Sequence, residues 1–301
     1  MANTFITPQN VARTALATFQ YNAVLPRVVN RTFVTEFGGG SGDTITIRKQ
    51  ATLTTNLFDR AAGIVTQDVI EDKMTLTVKD IWDVSAVITQ EQWDLHLTDF
   101  AFQVAEPAGK AMVRKSEEII ADALAKATDV VSIADPANPI PSFIEARKRM
   151  NMKEVPADNR VWVLGSNVAA SALSSDQLLK FDQAGDAGAL RNATIGRILG
   201  SPVVESVVVD PDAAYLVQKD AVTFISITPQ MPRGVANAAV ESYDSQAMRV
   251  VFGYDQPRKQ DVVSFDAYLQ AEVIRDECLV ALTLGGAAPL ATTTTSTKSS
   301  K

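Results

Sequence analysis

One histidine, His96, and one cysteine, Cys278, are the side chains in this 301-residue chain that titrate nearest neutrality. A serine hydrolase would have to use His96 as its base. It lies in Trp93-Asp94-Leu95-His96-Leu97, and the chain contains no Gly-x-Ser-x-Gly elbow. His96 therefore reads as an ordinary helix histidine. Cys278 opens the apolar stretch Cys278-Leu279-Val280-Ala281-Leu282, where no neighbour in sequence would lower a thiol pKa, so a buried structural thiol is expected. A lone cysteine excludes an intrachain disulfide and a Cys-based zinc site. No His/Glu metal signature is present, and Asp210-Pro211-Asp212 has the composition of a turn, not of a calcium loop. The run Gly38-Gly39-Gly40-Ser41-Gly42 lacks a following Gly-Lys-Ser/Thr and leads into a strand pattern, which makes it a hinge instead of a phosphate cradle. Paired carboxylates stay open, because 35 acids are present and sequence spacing does not set their separation. No catalytic, cofactor or metal site is expected, and a carboxylate-based hydrolase is the remaining enzymatic alternative.

The bulk properties narrow the classes further. At 46% hydrophobic residues the chain can bury one large core or two modest ones. It has no uncharged apolar run of about 18 residues, so no membrane helix is expected. Its opening residues do not read as a secretory signal, and intracellular folding is expected. The net charge is -7 and the pI about 4.9, the reverse of the basic stripe a phosphate-gripping protein needs. Aromatic and basic residues do not interleave as on a single-strand binding surface, and Trp82, Trp93 and Trp162 all sit in apolar contexts that suit core packing. Both ends are mildly basic. Arg13, Arg27, Arg31, Arg48 and Lys49 face only Glu36 and Asp43 in the first 50 residues, and Lys298 and Lys301 follow the last acid, Glu277.

Several elements are legible along the chain. Val11, Ala15, Leu16 and Phe19 recur at helical spacing after Pro8, in a short stretch that needs something else to pack on. Asp43–Arg48 and Lys73–Lys79 alternate as strands, separated by about 24 residues, far beyond the two to five of an ordinary hairpin loop. That connection carries Leu53, Leu57, Phe58, Ile64 and Val65, which a free loop would not profitably expose; contact with another subunit would bury them. Ile81–Ile88 reads as a strand leading to Thr89 as a helix N-cap. A strong helix spans 107–128 with Met112, Ile119, Ile120, Ala123, Leu124 and Ala127 as its buried stripe, and Arg114–Glu118 and Asp122–Lys126 as flanking pairs. Prolines 136, 139 and 141 mark a boundary. Beyond it we expect a helix over 142–152, a buried strand at 161–164 and a helix capped by Ser166 through Ser174. Strand pieces follow at 203–204, 207–209 and 222–227, with β structure over 239–252 and 262–282. Gly185 and Gly188 mark a flexible region, and the Thr/Ser/Lys-rich segment 292–301 is expected to be disordered.

This order of elements resembles the major capsid (coat) proteins of tailed double-stranded DNA bacteriophages, the Hong Kong-type coat fold shared with encapsulin shells. Met1-Ala2-Asn3-Thr4, Gly42-Asp43-Thr44-Ile45-Thr46-Ile47-Arg48 and the segment Asn192–Ser206, with Gly200-Ser201-Pro202-Val203-Val204 at its centre, resemble the branch that includes the Salmonella-phage coat protein. The likeness covers nearly the whole chain. About 100 residues of axial domain leave no room for the large inserted domain some members of that branch carry.

The resemblance implies an α+β fold with an N-terminal arm over 1–42, an extended E-loop hairpin over 43–80, and a peripheral domain over 81–135 containing a spine helix at 107–128. It further implies an axial domain over 136–237, returning peripheral strands over 238–284, and a disordered tail over 285–301. The implied function is structural and not enzymatic, with no cofactor. Copies would form hexamers and pentamers of an icosahedral capsid around double-stranded DNA, without sequence-specific DNA binding and without a membrane. Assembly would occur in the bacterial host cytoplasm and end in the virion capsid, with a scaffolding protein, a portal and a decoration protein as further partners. Inter-subunit contact would fall to Arg13, Phe19, Arg27 and Arg31 of the arm and to Arg48, Lys49, Leu57, Phe58, Asp59 and Arg60 of the E loop. An encapsulin-like nanocompartment is the alternative with the same fold.

Overall fold

The computed structural model describes residues 8–22, 24–32, 44–48, 73–89, 101–175, 196–231, 237–243 and 246–285, with scattered positions between 53 and 68. The helix expected after Thr89, His96 and Trp93, the glycine run at 38–42, Gly185, Gly188 and the 292–301 tail lie outside these residues.

Two sheets share one continuous hydrophobic core. The first has the order β10-β11-β12-β3, formed by Ala238–Tyr243, Gln246–Asp255, Gln260–Val273 and Ile81–Thr89, with β9 (Val222–Ile227) also paired to β12. All these pairings are antiparallel. Alternation selects one face of this sheet. Val263, Phe265, Ala267 and Leu269 on β12 and Val250 on β11 are buried, on the side carrying helix α2 (Glu106–Leu124). The expected spine helix is thus present, preceded by one π-helical turn at Ala101–Ala105, and Met112, Ile120, Ala123, Leu124 and Ala127 are buried. Arg114 pairs with Glu118 at 3.3 Å as its spacing predicts. Lys126 binds both carboxylate oxygens of Glu272 on β12, at 3.0 and 3.1 Å.

The second sheet is mixed, in the order β4-β13-β8-β5-β7-β6. Its strands are Val130–Ile133, Leu279–Leu284, Ala213–Gln218, Arg160–Leu164, Ser201–Glu205 and Arg197–Ile198. Helices α3 (Ile140–Met152) and α4 (Ser166–Ser174) pack on it. Trp162 sits at its centre, edge-on to Phe143 with ring centroids 4.9 Å apart, its indole N–H donated to the Ile198 carbonyl at 3.1 Å. Cys278 is buried as expected, and burial, with Glu277 nearby, pushes its thiol up to about 11.

Four expectations are corrected here. The chain's last strand, β13, does not return to the sheet of β11 and β12; it pairs with β4 and β8 in the second sheet, whereas β9 joins the first. The divisions at 136–237 and 238–284 therefore do not coincide with the sheets. Residues 207–209 form a bend, not a strand, after Ser206 donates its amide to the Leu164 carbonyl. Ser166 is the first helical residue of α4, and Gly165 holds the N-cap position. A Cβ on Gly165 would lie 2.1 Å from the Asp210 carbonyl oxygen, so this close strand–helix approach requires glycine.

The fourth concerns the arm. Helix α1 (Pro8–Asn22) buries Val11, Ala12, Ala15 and Leu16 against α2 and the β10–β11 edge of its own chain. Arg13 pairs with Glu241 of β10 at 3.1 Å. Glu117 of α2 accepts the Val24 amide at 2.9 Å, and Asn30 exchanges backbone bonds with Val222 and Phe224. Residues 8–32 are thus part of the fold, and the apolar stripe expected to embrace a neighbour is filled from within.

A carboxylate on the edge of the second sheet supplies a pH-dependent tie. Asp129 accepts from Arg149 and from Lys153, each at 2.7 Å. Partial burial raises its pKa, but the hydrogen bonds from Lys153 and Arg149 outweigh that and hold it below the usual aspartate value. Its contribution is present above the unfolded pKa, about 4, and fades as pH falls through the lower folded value. Asp129→Asn should therefore melt below the wild type at pH 7, with the two melting curves converging in strong acid.

Candidate functional site

The feature that stands apart from the two large sheets is the hairpin of β1 (Thr44–Arg48) and β2 (Lys73–Thr77). These strands pair only with each other among the described residues, Ile45 opposite Leu76 and Arg48 opposite Lys73. The base of the hairpin is anchored. Ile47, Leu76 and Val78 pack with Ile225 of β9 and Ile274, joined by Met74, Ile227 and Tyr268, in a small cluster separate from the main core. The alternation of the two strands was visible in the sequence, but nothing in it pointed to Ile225 and Ile274 as their partners.

Beyond this base the described residues of the connection are exposed. Leu57 is 97% exposed, Ile64 82% and Phe58 63%, with Leu53 and Arg60 exposed beside them. Monomeric proteins rarely present apolar groups this way, and such clusters mark interaction sites. Of the other predicted contact residues, Arg27 is exposed at the end of a 3-10 turn over Leu25–Arg27, and Arg31 follows the Asn30 bridge to Thr223. Phe19 belongs to α1 and Arg48 closes β1, with their side chains outside the described set. Lys49, Asp59 and Val65 lie outside the described residues. Leu57, Phe58 and Arg60 are thus exposed within one short stretch of the connection, while Arg13 and Arg27 are exposed on segments packed against the body. Among the described residues no cluster of His, Cys, Asp or Glu could hold a metal ion, and no helix is long and apolar enough to cross a membrane.

A spine helix across one sheet, a second mixed sheet, and a separate two-stranded hairpin with a long connection define a coat subunit of the Hong Kong type. The chain belongs to the phage capsid protein family, whose model matches residues 72–269, about two thirds of its length. It is a structural subunit of a phage capsid. A chain from Mycobacterium phage Che8 aligns over 87% of this chain and 91% of its own, with 20% identity and a TM-score of 0.68. A chain from the capsid of cyanophage P-SCSP1u aligns over 82% and 85%, with 12% identity and a TM-score of 0.65. A virus-like particle from Pyrococcus furiosus aligns over 91% and 97%, with 10% identity and a TM-score of 0.55. A search of curated protein sequences finds no match.

Proposed function

We propose that this chain tiles an icosahedral shell as hexamers and pentamers around packaged double-stranded DNA, with its hairpin loop lying over a neighbouring subunit. The observation that carries this reading is the exposure of Leu57, Phe58 and Ile64 in the long connection of a hairpin whose strands pack in a cluster apart from the main core. Burying each such side chain is worth about 1.5–3 kcal/mol, and many modest contacts repeated around a closed lattice sum to a stable shell. Asp59 and Arg60 then pair across the boundary. The arm's share of that contact falls to Arg13, Phe19, Arg27 and Arg31, and the E loop adds Arg48 and Lys49. The acidic body, at net charge -7, limits adhesion to the enclosed DNA, leaving it free to exit. Assembly takes place in the bacterial host cytoplasm with a scaffolding protein and a portal, and a decoration protein binds outside.

Deleting residues 51–70 tests the loop. The variant should sediment as a folded subunit that forms no shells, and intact shells from it would overturn the assignment. The likeness to the Pyrococcus virus-like particle keeps a nanocompartment as the second reading. An enzyme cargo in place of DNA inside purified particles would decide for that one.

A further inference from the structure

We propose that neighbouring subunits dock head to tail through the two sides of the six-stranded sheet, the outer face of α3 meeting the Glu205–Val207 corner of the next copy. This rests on the shell reading and adds a contact independent of the hairpin. On α3, Phe143, Ala146 and Met150 face inward, and the helix lies over β13 and β4 at one side of the sheet. Its outer face carries Ile144, 51% exposed, with Arg147 one turn on. Arg147 is exposed and has no ion-pair partner among the described residues, unlike Lys148 and Arg149, which bind Glu145. The buried guanidinium of Arg160 nearby is satisfied by Asn151 and by the carbonyls of Val155 and Pro156, with no carboxylate bound to it.

The other side of the sheet has the complementary character. Glu205 ends β7 beside the edge strand β6, is exposed, and likewise has no ion-pair partner among the described residues. Val207, two residues on, is 89% exposed. The adjoining loop adds Asp212, stretches 164–175 and 201–216 contain no Lys or Arg, and the basic residue of β6, Arg197, stands opposite Pro202 at the other end of β7 from Glu205. Each patch thus pairs one large exposed apolar side chain with one unmatched charge of opposite sign. Arg147 lies near Arg160 at the start of β5, whereas Glu205 stands opposite Leu164 at its end, and no ion pair joins the two among the described residues. A self-complementary pair of distinct patches makes a heterologous contact, the kind that repeats around a ring. One exposed ion pair is weak, but it fixes register and is multiplied around the capsomer.

Charge reversal tests this in the full-length chain, by light scattering and sedimentation against protein concentration. Arg147→Glu or Glu205→Lys alone should raise the concentration needed for assembly by about tenfold. The double variant should return it close to the wild-type value. Both positions are exposed, and matching melting curves will separate lost docking from lost folding. Single variants that assemble like the wild type, or a double variant that fails to recover, would overturn the contact while leaving the shell reading intact. A wild-type chain that forms no assemblies with scaffold present would overturn both.

Discussion

Asp266→Ala should destabilise the subunit by about 3–5 kcal/mol, read as a shift in the denaturant midpoint, because it strands a largely buried arginine. Arg249 and Asp266 are directly opposed on β11 and β12, and the guanidinium grips the carboxylate with two bonds, Nε to Oδ1 at 2.8 Å and Nη2 to Oδ2 at 2.5 Å. The third nitrogen, Nη1, is directed to the Gln230 carbonyl. Bidentate geometry of this kind is far stronger than the exposed pairs of α2, such as Lys110 with Glu106. Removing both partners together, as Arg249→Met with Asp266→Leu, should cost much less than removing Asp266 alone, since no charge is then left buried. If the single and double variants unfold at the same denaturant concentration, the pair is not what holds these strands.

Gly165→Ala should be as damaging, costing upward of about 3 kcal/mol, at the severe end of overpacking. The added methyl would meet three backbone oxygens, those of Asp210, Pro211 and Ala213, at 2.1, 2.7 and 2.8 Å. Backbone cannot rotate aside as a side chain can. The same segment is stitched by the Gly165 amide to Ala213 and the Asn167 amide to Pro211, so relief of the clash breaks the junction of β5, α4 and β8. Gly253→Ala is the control. Its nearest contact would be 3.9 Å away, and it should change the melting temperature little. An unaltered melting temperature for Gly165→Ala would show that the loop at 210–213 yields freely, and the steric account would fail.

Both positions show why much of this molecule was out of reach of a linear reading. Arg249 and Asp266 are 17 residues apart and look like solvated strand charges until the β11–β12 register sets them face to face. Gly165 is one glycine among 15, marked only by a loop that arrives from 45 residues downstream. The exposed connection between β1 and β2 was more legible, since its length and its unprofitable apolar residues are local facts. The Glu205–Val207 corner gave no such signal, because Val207 reads as strand beside Val208 and Val209 and its exposure follows from a bend.

What the sequence by itself determined are the elements whose signal is periodic. The alternation of β1, β2 and β3, the stripe of α2, and the span of α4 follow from which neighbours must share a face, which depends only on residues a few positions apart. The tertiary structure alone decided partnership. Strands β8 and β13 are buried on both faces, so they carry no alternation to reveal their sheet or their neighbours. Helix α1 has an apolar stripe that would suit a neighbour or its own body equally well. Its burial against α2 and β10 was settled by the free energy of filling a groove that exists only after residues more than 200 positions apart have come together.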